Sequence, residues 1–235
     1  MDHDLIIFDC DGVLVDSERI AVQIESRLLT EAGFPLTPAE IAASFVGLSY
    51  GSMMTELERR FGRSVPEELN QRMQSEALAA FPTELEPTPG IVELLGSITG
   101  PRCVASSSDP DRIALSLRLT GLDRWFDPGS LFSATMVDRG KPAPDLFLHA
   151  AAAMGHRPDR CVVIEDSPHG VEAAVAAGMA VVGYVGGGHA GPALSDRLVA
   201  AGADAIADHH RSVPPILGLG PGRGGPDQSA GTAKP

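Results

Sequence analysis

Lysine is almost missing from this chain: only Lys141 and Lys234 occur, and the second is the penultimate residue. Positive charge as a whole is scarce, with 18 Lys and Arg against 31 Asp and Glu and a formal net charge of −13 at pH 7. That balance argues against nucleic acid or an anionic membrane as partner, because both are polyanions. An anionic small molecule would then need a local positive site or a metal. There is no long apolar run and no basic-then-apolar leader, so neither a membrane span nor export is expected, and the cytoplasm is the expected compartment. The three cysteines, Cys10, Cys103 and Cys161, are widely spaced, each in or beside an expected strand. They read as small buried hydrophobes rather than a disulfide or metal site, with Cys10 the one of interest because it lies between two aspartates.

What is present begins with LIIFDCDGVLVDSE, residues 5–18. The run Leu5 to Phe8 is apolar and β-prone, as a buried parallel strand should be, which puts Asp9 at the strand's carboxyl end and Gly12 in the turn beyond. Ligands of α/β sheets bind at that edge. In an extended chain Asp9 and Asp11 point to the same side and Cys10 away. Two neighbouring carboxylates need a cation or a proton between them, and a hard divalent ion such as Mg²⁺ commonly bridges carboxylates to a phosphate. The plainer alternative is a strand followed by a solvated acidic turn.

From Ser17 to Phe81 the pattern is almost wholly helical, with Ile20, Ile24, Leu28 and Leu29 on one face of the first helix. From Pro89 onward, expected helices alternate with expected strands at Cys103–Ser106, Leu131–Ala134, Cys161–Ile164 and Val181–Tyr184, and a short apolar stretch near Ala205. Such alternation implies an α/β fold with a doubly wound parallel sheet. The expected organisation is therefore an α/β core over 1–15 and 87–212, a helical insertion over 16–86, and a Gly/Pro/Ser/Ala-rich flexible tail over 213–235.

Three further strand ends carry polar groups. VASSSDPDR ends a strand in Ser106, Ser107 and Ser108 ahead of a helix opened by Pro110, a junction that suits either a phosphate or an ordinary N-cap. Lys141, in RGKPAPD, is the one lysine outside the tail and precedes a helix whose first turn is Ala143-Pro144-Asp145. A compact ammonium retained where arginine is otherwise used suggests a specific need, against the alternative of a surviving surface residue. VVIEDSPHG ends its strand in Glu165 and Asp166, each readable as a cap or as a metal ligand. VGGGHAGP lacks the spacing of a dinucleotide loop; it reads as a loop at the rim of the site with His189 exposed. His169 reads as a helix N-terminal residue, and Trp125 and Phe126 as packing anchors.

These four stations, Asp9 to Gly12, Ser106, Lys141 in GKPAPD and the Glu165–Asp166 pair, match in order and context the motifs of the haloacid dehalogenase-like hydrolases, which this chain resembles over about residues 4–208. The resemblance implies a Rossmann-like core. The insertion directly after the first motif is similar to the helical cap of phosphoglycolate phosphatases, hexose-phosphate phosphatases and β-phosphoglucomutases. It further implies Asp9 as nucleophile and Asp11 as general acid and base, with Ser106, Ser107 and Lys141 binding the phosphate. Mg²⁺ would be held by Asp9, the carbonyl of Asp11 and Asp166, with Glu165 as an outer candidate. The implied partner is a small phosphorylated metabolite, monomer or homodimer being left open.

Asp11 separates this chain from the dehalogenases, which lack an acid there, and the absence of any lysine in 16–86 separates it from phosphonate hydrolases. β-Phosphoglucomutases usually have a His and an Arg where this chain has Ala21 and Tyr50, so phosphatase is the expected activity. Arg19, Arg59, Arg60 and Arg63 could still hold a second phosphate. LLGSITGPRCVASSS is similar to bacterial phosphatases acting on 6-phosphogluconate and related sugar phosphates.

Overall fold

The computed structural model describes residues 3–45, 50–191 and 193–219. Among them, six strands form one parallel sheet: β1 (Leu5–Phe8), β2 (Arg102–Ser106), β3 (Leu131–Ser133), β4 (Cys161–Glu165), β5 (Ala180–Tyr184) and β6 (Ala205–Ala207), in spatial order β3-β2-β1-β4-β5-β6. The order reverses at β1, flanked by β2 and β4, so the crevice at its carboxyl end is the topological switch point of the sheet.

Strand alternation sends successive side chains to opposite faces. Ile6, Phe8, Val104, Val162, Ile164 and Val182 pack on one face against α5 (Ile91–Ser97), α6 (Pro110–Leu119) and α10 (Val213–Leu217). Leu5, Ile7, Cys103, Ala105, Val163 and Val181 pack on the other against α7 (Asp145–Ala153), α8 (Pro168–Ala176) and α9 (Leu194–Ala201). All three cysteines are buried and unpaired. Phe126 anchors the first face edge-on to Phe8 at 6.1 Å, while Trp125 is half-buried.

Between β1 and β2 lie α1 (Ser17–Glu31), α2 (Pro38–Ser44), α3 (Tyr50–Phe61) and α4 (Glu68–Glu84). They enclose a separate apolar cluster that includes Leu28, Leu29, Phe34, Ile41, Leu57 and Met73. The anticipated stripe on α1 divides in space: Ile20 packs on the sheet's cluster, Leu28 and Leu29 on the helical one, and Ile24 touches both. α2 is opened by a capping box, with Thr37 Oγ1 accepting from the Glu40 N–H at 3.2 Å and Glu40 Oε2 accepting from the Thr37 N–H at 2.8 Å.

Two stretches join the helical segment to the sheet, and they are tied together. The Asp16 N–H donates to Glu86 O and the Thr88 N–H to Leu14 O, while the Thr88 hydroxyl donates to Val13 O. His210, fully buried, lies over Tyr184 with ring centroids 4.1 Å apart and places Nε2 2.9 Å from Val13 O and 2.8 Å from Thr88 Oγ1. A carbonyl can only accept, so Nε2 carries the ring proton.

One expectation is corrected here. The segment from 213 does not begin as a tail, because Val213–Leu217 is helical with Val213 and Leu217 buried. Pro214 and Pro215 fall in its first turn, where a missing N–H leaves no bond unmade. Residues 220–235 lie outside the described part. Another adjustment is at α7, which starts at Asp145 with Pro144 as its N-cap, so Ala143 and Pro144 form the turn before it.

Candidate active site

Asp9 directly follows β1 and donates its N–H to Ile164 O, which fastens it beside the end of β4. The chain then turns at Gly12, whose φ is +79°; a Cβ there would strike the Asp166 carboxylate, so only glycine lets the two acidic strand ends approach. Glu165 closes β4 and Asp166 follows it. Carboxylate oxygens of Asp9, Glu165 and Asp166, all three buried, lie within 4.8 Å of one another. An all-oxygen donor set of this kind fits a hard divalent cation such as Mg²⁺.

Lys141 enters from the loop before α7 and is almost wholly buried. Its Nζ donates to Asp9 Oδ1 at 2.5 Å, to Glu165 Oε2 at 2.7 Å and to Ala105 O at 3.1 Å. Phe147, in the first turn of α7, presents its ring 4.9 Å from the ammonium. Burial disfavours the charged lysine, yet the two carboxylates outweigh it and hold the ammonium above its ordinary pKa. Burial pushes Asp9 well above the ordinary carboxyl value, with Lys141 pulling the other way and Glu165 and Asp166 adding to the rise. Glu165 is already engaged: Oε1 accepts from the Ser167 N–H and hydroxyl, and Gly170 leaves it room where a Cβ would collide.

Asp11 faces another set of partners. Its oxygens accept from Ser17 Oγ at 2.7 Å, Ser108 Oγ at 2.6 Å and Arg112 Nη2 at 3.0 Å. Burial alone would raise this carboxyl, but the Arg112 guanidinium and the two serine hydroxyls hold it below the ordinary range. Ser106 is buried, its Oγ accepting the Ser108 N–H, whereas Ser107 is exposed. Asp9, Asp11, Ser106, Ser107, Lys141, Glu165 and Asp166 therefore line one cavity of about 380 Å³, a size suited to a small metabolite. Glu18 of α1 and Gln74 of α4 line it from the helical side. Burial raises Glu18 to about 7, and burial next to Glu18 raises Glu25 to about 8.

Ser17 and Arg112 were not among the expected site residues, and Ser108 was expected only at a phosphate or an N-cap; they stand in the motifs LVDSE and SSSDPDR, but only the folded chain turns all three onto Asp11. His189 is corrected: it is buried, with Nε2 3.0 Å from Asp166 Oδ2, and that carboxylate outweighs burial to raise the ring to about 8. The glycines before it explain the approach, since a Cβ at Gly187 would meet the His189 ring and the Gly188 N–H donates to Asp16 Oδ1. The four arginines considered for a second phosphate lie elsewhere. Arg19 pairs with Asp16, Arg59 with Glu56 and Arg60 with Glu40, and Arg63 donates to the carbonyls of Ala32 and Gly33; none lines the cavity. Residues 46–49 and the Tyr50 side chain lie outside the described part. Likewise His169 sits in the first turn of α8 and does not line the cavity.

Residues 3–178 match the family model of the haloacid dehalogenase-like hydrolases. The 6-phosphogluconate phosphatase of Escherichia coli is 31% identical over 194 residues, covering 82% of this chain and 87% of that protein. A conserved haloacid dehalogenase-like protein from Agrobacterium tumefaciens superposes with a TM-score of 0.87 at 40% identity, covering 92% of this chain and 98% of that one. A family hydrolase from Deinococcus radiodurans, solved with phosphate and sodium, has a TM-score of 0.79 at 32% identity, covering 93% and 97%.

Proposed function

The chain belongs to the haloacid dehalogenase-like hydrolases, and we propose that it is a Mg²⁺-dependent phosphatase that cleaves a small sugar phosphate through an aspartyl-phosphate on Asp9. The observation that carries this reading is the meeting of Asp9, Lys141, Glu165 and Asp166 at the switch point of the sheet.

An Asp9 oxygen attacks phosphorus, the ester P–O bond breaks, and the leaving alkoxide takes a proton from Asp11, which enters this step protonated although Arg112, Ser17 and Ser108 favour its ionised form. Water then gives a proton to Asp11 and attacks the phosphorus from outside, breaking the aspartyl P–O bond and releasing inorganic phosphate with Asp9 restored. Lys141 holds Asp9 in place and offers its ammonium to the transferring oxygens, and Ser106 and Ser107 stand at the same edge to receive the others. Asp9, the Asp11 carbonyl and Asp166 would hold Mg²⁺, which when bound neutralises charge between carboxylate and phosphate. Glu165, with Lys141 and Ser167 on its oxygens, orients the lysine. The helical segment over 16–86, with Glu18 and Gln74 on the cavity, acts as a cap that excludes bulk water.

The test is phosphate release over a panel of sugar and other small phosphate esters, comparing the wild type with Asp9→Asn and Asp11→Asn. Release that requires Mg²⁺, stops with EDTA and is lost in both variants is the expected result. Interconversion of hexose 1- and 6-phosphates with a bisphosphate primer, and no release, would make it a mutase instead.

A further inference from the structure

The geometry points to Arg112 as a specificity-determining residue that binds a carboxylate on the substrate, so that the preferred ester is a sugar-acid phosphate. This rests on the phosphatase reading above. Of the residues lining the cavity only Lys141 and Arg112 are cationic, while Asp9, Asp11, Glu18, Asp109, Glu165 and Asp166 are acidic. Lys141 is committed to Asp9 and Glu165 at the reacting end, so Arg112 is the positive group left for a non-reacting part of the substrate.

Arg112 is also held in a manner suited to that role. It projects from the first turn of α6, and its guanidinium carbon lies 5.2 Å from the centroid of the Phe81 ring, so sheet domain and helical segment both define its place. Among the described residues, its one hydrogen bond is from Nη2 to Asp11 Oδ1, and its buried Nε has no partner. A planar fork whose terminal Nη groups, unlike the buried Nε, still have N–H groups to give matches a carboxylate in two-point fashion, which an ammonium cannot do. The charge balance selects the anion. One guanidinium, already shared with Asp11 in a wall of carboxylates, leaves a singly charged carboxylate less opposed than a doubly charged second phosphate.

The experiment uses three esters of the same hexose skeleton: 6-phosphogluconate, sorbitol 6-phosphate, in which CH₂OH replaces the carboxylate, and sorbitol 1,6-bisphosphate, in which a second phosphate ester stands there. Wild type, Arg112→Lys and Arg112→Gln are compared by kcat and KM. Wild type is expected to favour 6-phosphogluconate over sorbitol 6-phosphate by about 10- to 100-fold in kcat/KM, the scale of a charge-assisted hydrogen-bonded pair. Arg112→Gln should lower kcat on every ester through its lost hydrogen bond to Asp11 and, beyond that common fall, remove the preference by raising KM for 6-phosphogluconate but not for sorbitol 6-phosphate, with Arg112→Lys between the two. A preference for the bisphosphate that Arg112→Gln abolishes would overturn the carboxylate assignment. An equal fall in kcat/KM on every ester, with the preference for the acid over the alcohol unchanged, would overturn it too, leaving Arg112 only as a residue that positions Asp11.

Binding of 6-phosphogluconate and sorbitol 6-phosphate by calorimetry, to Asp9→Asn and to Asp9→Asn/Arg112→Gln, separates the two readings. Absence of phosphate release from every ester would defeat the phosphatase reading, while tighter binding of the acid, lost in the double variant, would still sustain Arg112. Equal binding of acid and alcohol would sink it.

Discussion

Acidification should expose the buried His210. Its Nε2 proton is given to Val13 O, so a second proton would have to sit on Nδ1, which is buried without a partner. Burial therefore lowers this ring to about 4 from 6.5, and the nearby His209 adds to the fall. Above pH 6.5 the ring is neutral in both folded and unfolded chains and makes no pH-dependent contribution. As pH drops below 6.5 the unfolded chain takes up a proton that the folded chain refuses, so the unfolded state gains until the folded ring also titrates near pH 4. The span from 6.5 to about 4, at about 1.4 kcal/mol for each pH unit, sets the full loss at ~3 kcal/mol. The assay is urea unfolding of the wild type and His210→Phe at intervals from pH 7.5 to 4.5. Phenylalanine keeps the stack on Tyr184 and leaves Val13 O to the Thr88 hydroxyl. The variant should be the less stable at pH 7.5 through its lost hydrogen bond, and the difference should shrink and then reverse toward pH 4.5. Carboxylates that titrate in the same range are common to both proteins and cancel. A wild-type-minus-variant difference that stays constant across the range would refute the argument.

Other expectations follow from packing and local geometry. Leu57→Ala empties the centre of the helical cluster, where Leu57 is fully buried, and should cost about 2–5 kcal/mol in chemical denaturation. Thr37→Ala removes the side-chain half of the α2 capping box and should cost ~1 kcal/mol by the same measurement, with kcat retained. Gly170→Ala drives a Cβ into the Glu165 carboxylate; because Glu165 orients Lys141, phosphate release should fall at least as sharply as the melting temperature, and an unimpaired kcat would contradict that linkage. His189→Ala should weaken Mg²⁺ binding, seen as a higher metal concentration for half-maximal activity, because Asp166 loses its neighbour at 3.0 Å.

Much of this protein is decided locally. The apolar four-residue run before Asp9, the proline-opened helices and the strand–helix alternation after Pro89 are short-range patterns, so the parallel sheet and its polar edge were legible from composition and period alone. Lys141 was legible for a different reason: an ammonium in a chain that otherwise uses guanidinium is informative by its rarity. Only the tertiary structure decided which polar residues converge. Arg112 and Ser108 reach Asp11 across about a hundred residues of chain, and His189 reaches Asp166 because glycines let its loop fold inward. No periodicity encodes such contacts, since they depend on how α6 and the loop after β5 are packed. The helix at Val213–Leu217 was hidden likewise, because a stretch rich in Gly, Pro, Ser and Ala reads as tail until burial of Val213 and Leu217 shows why the turn forms. Sequence thus determined the elements and the chemistry at their ends; packing determined the partners of each charge, and with them which arginine lines the cavity.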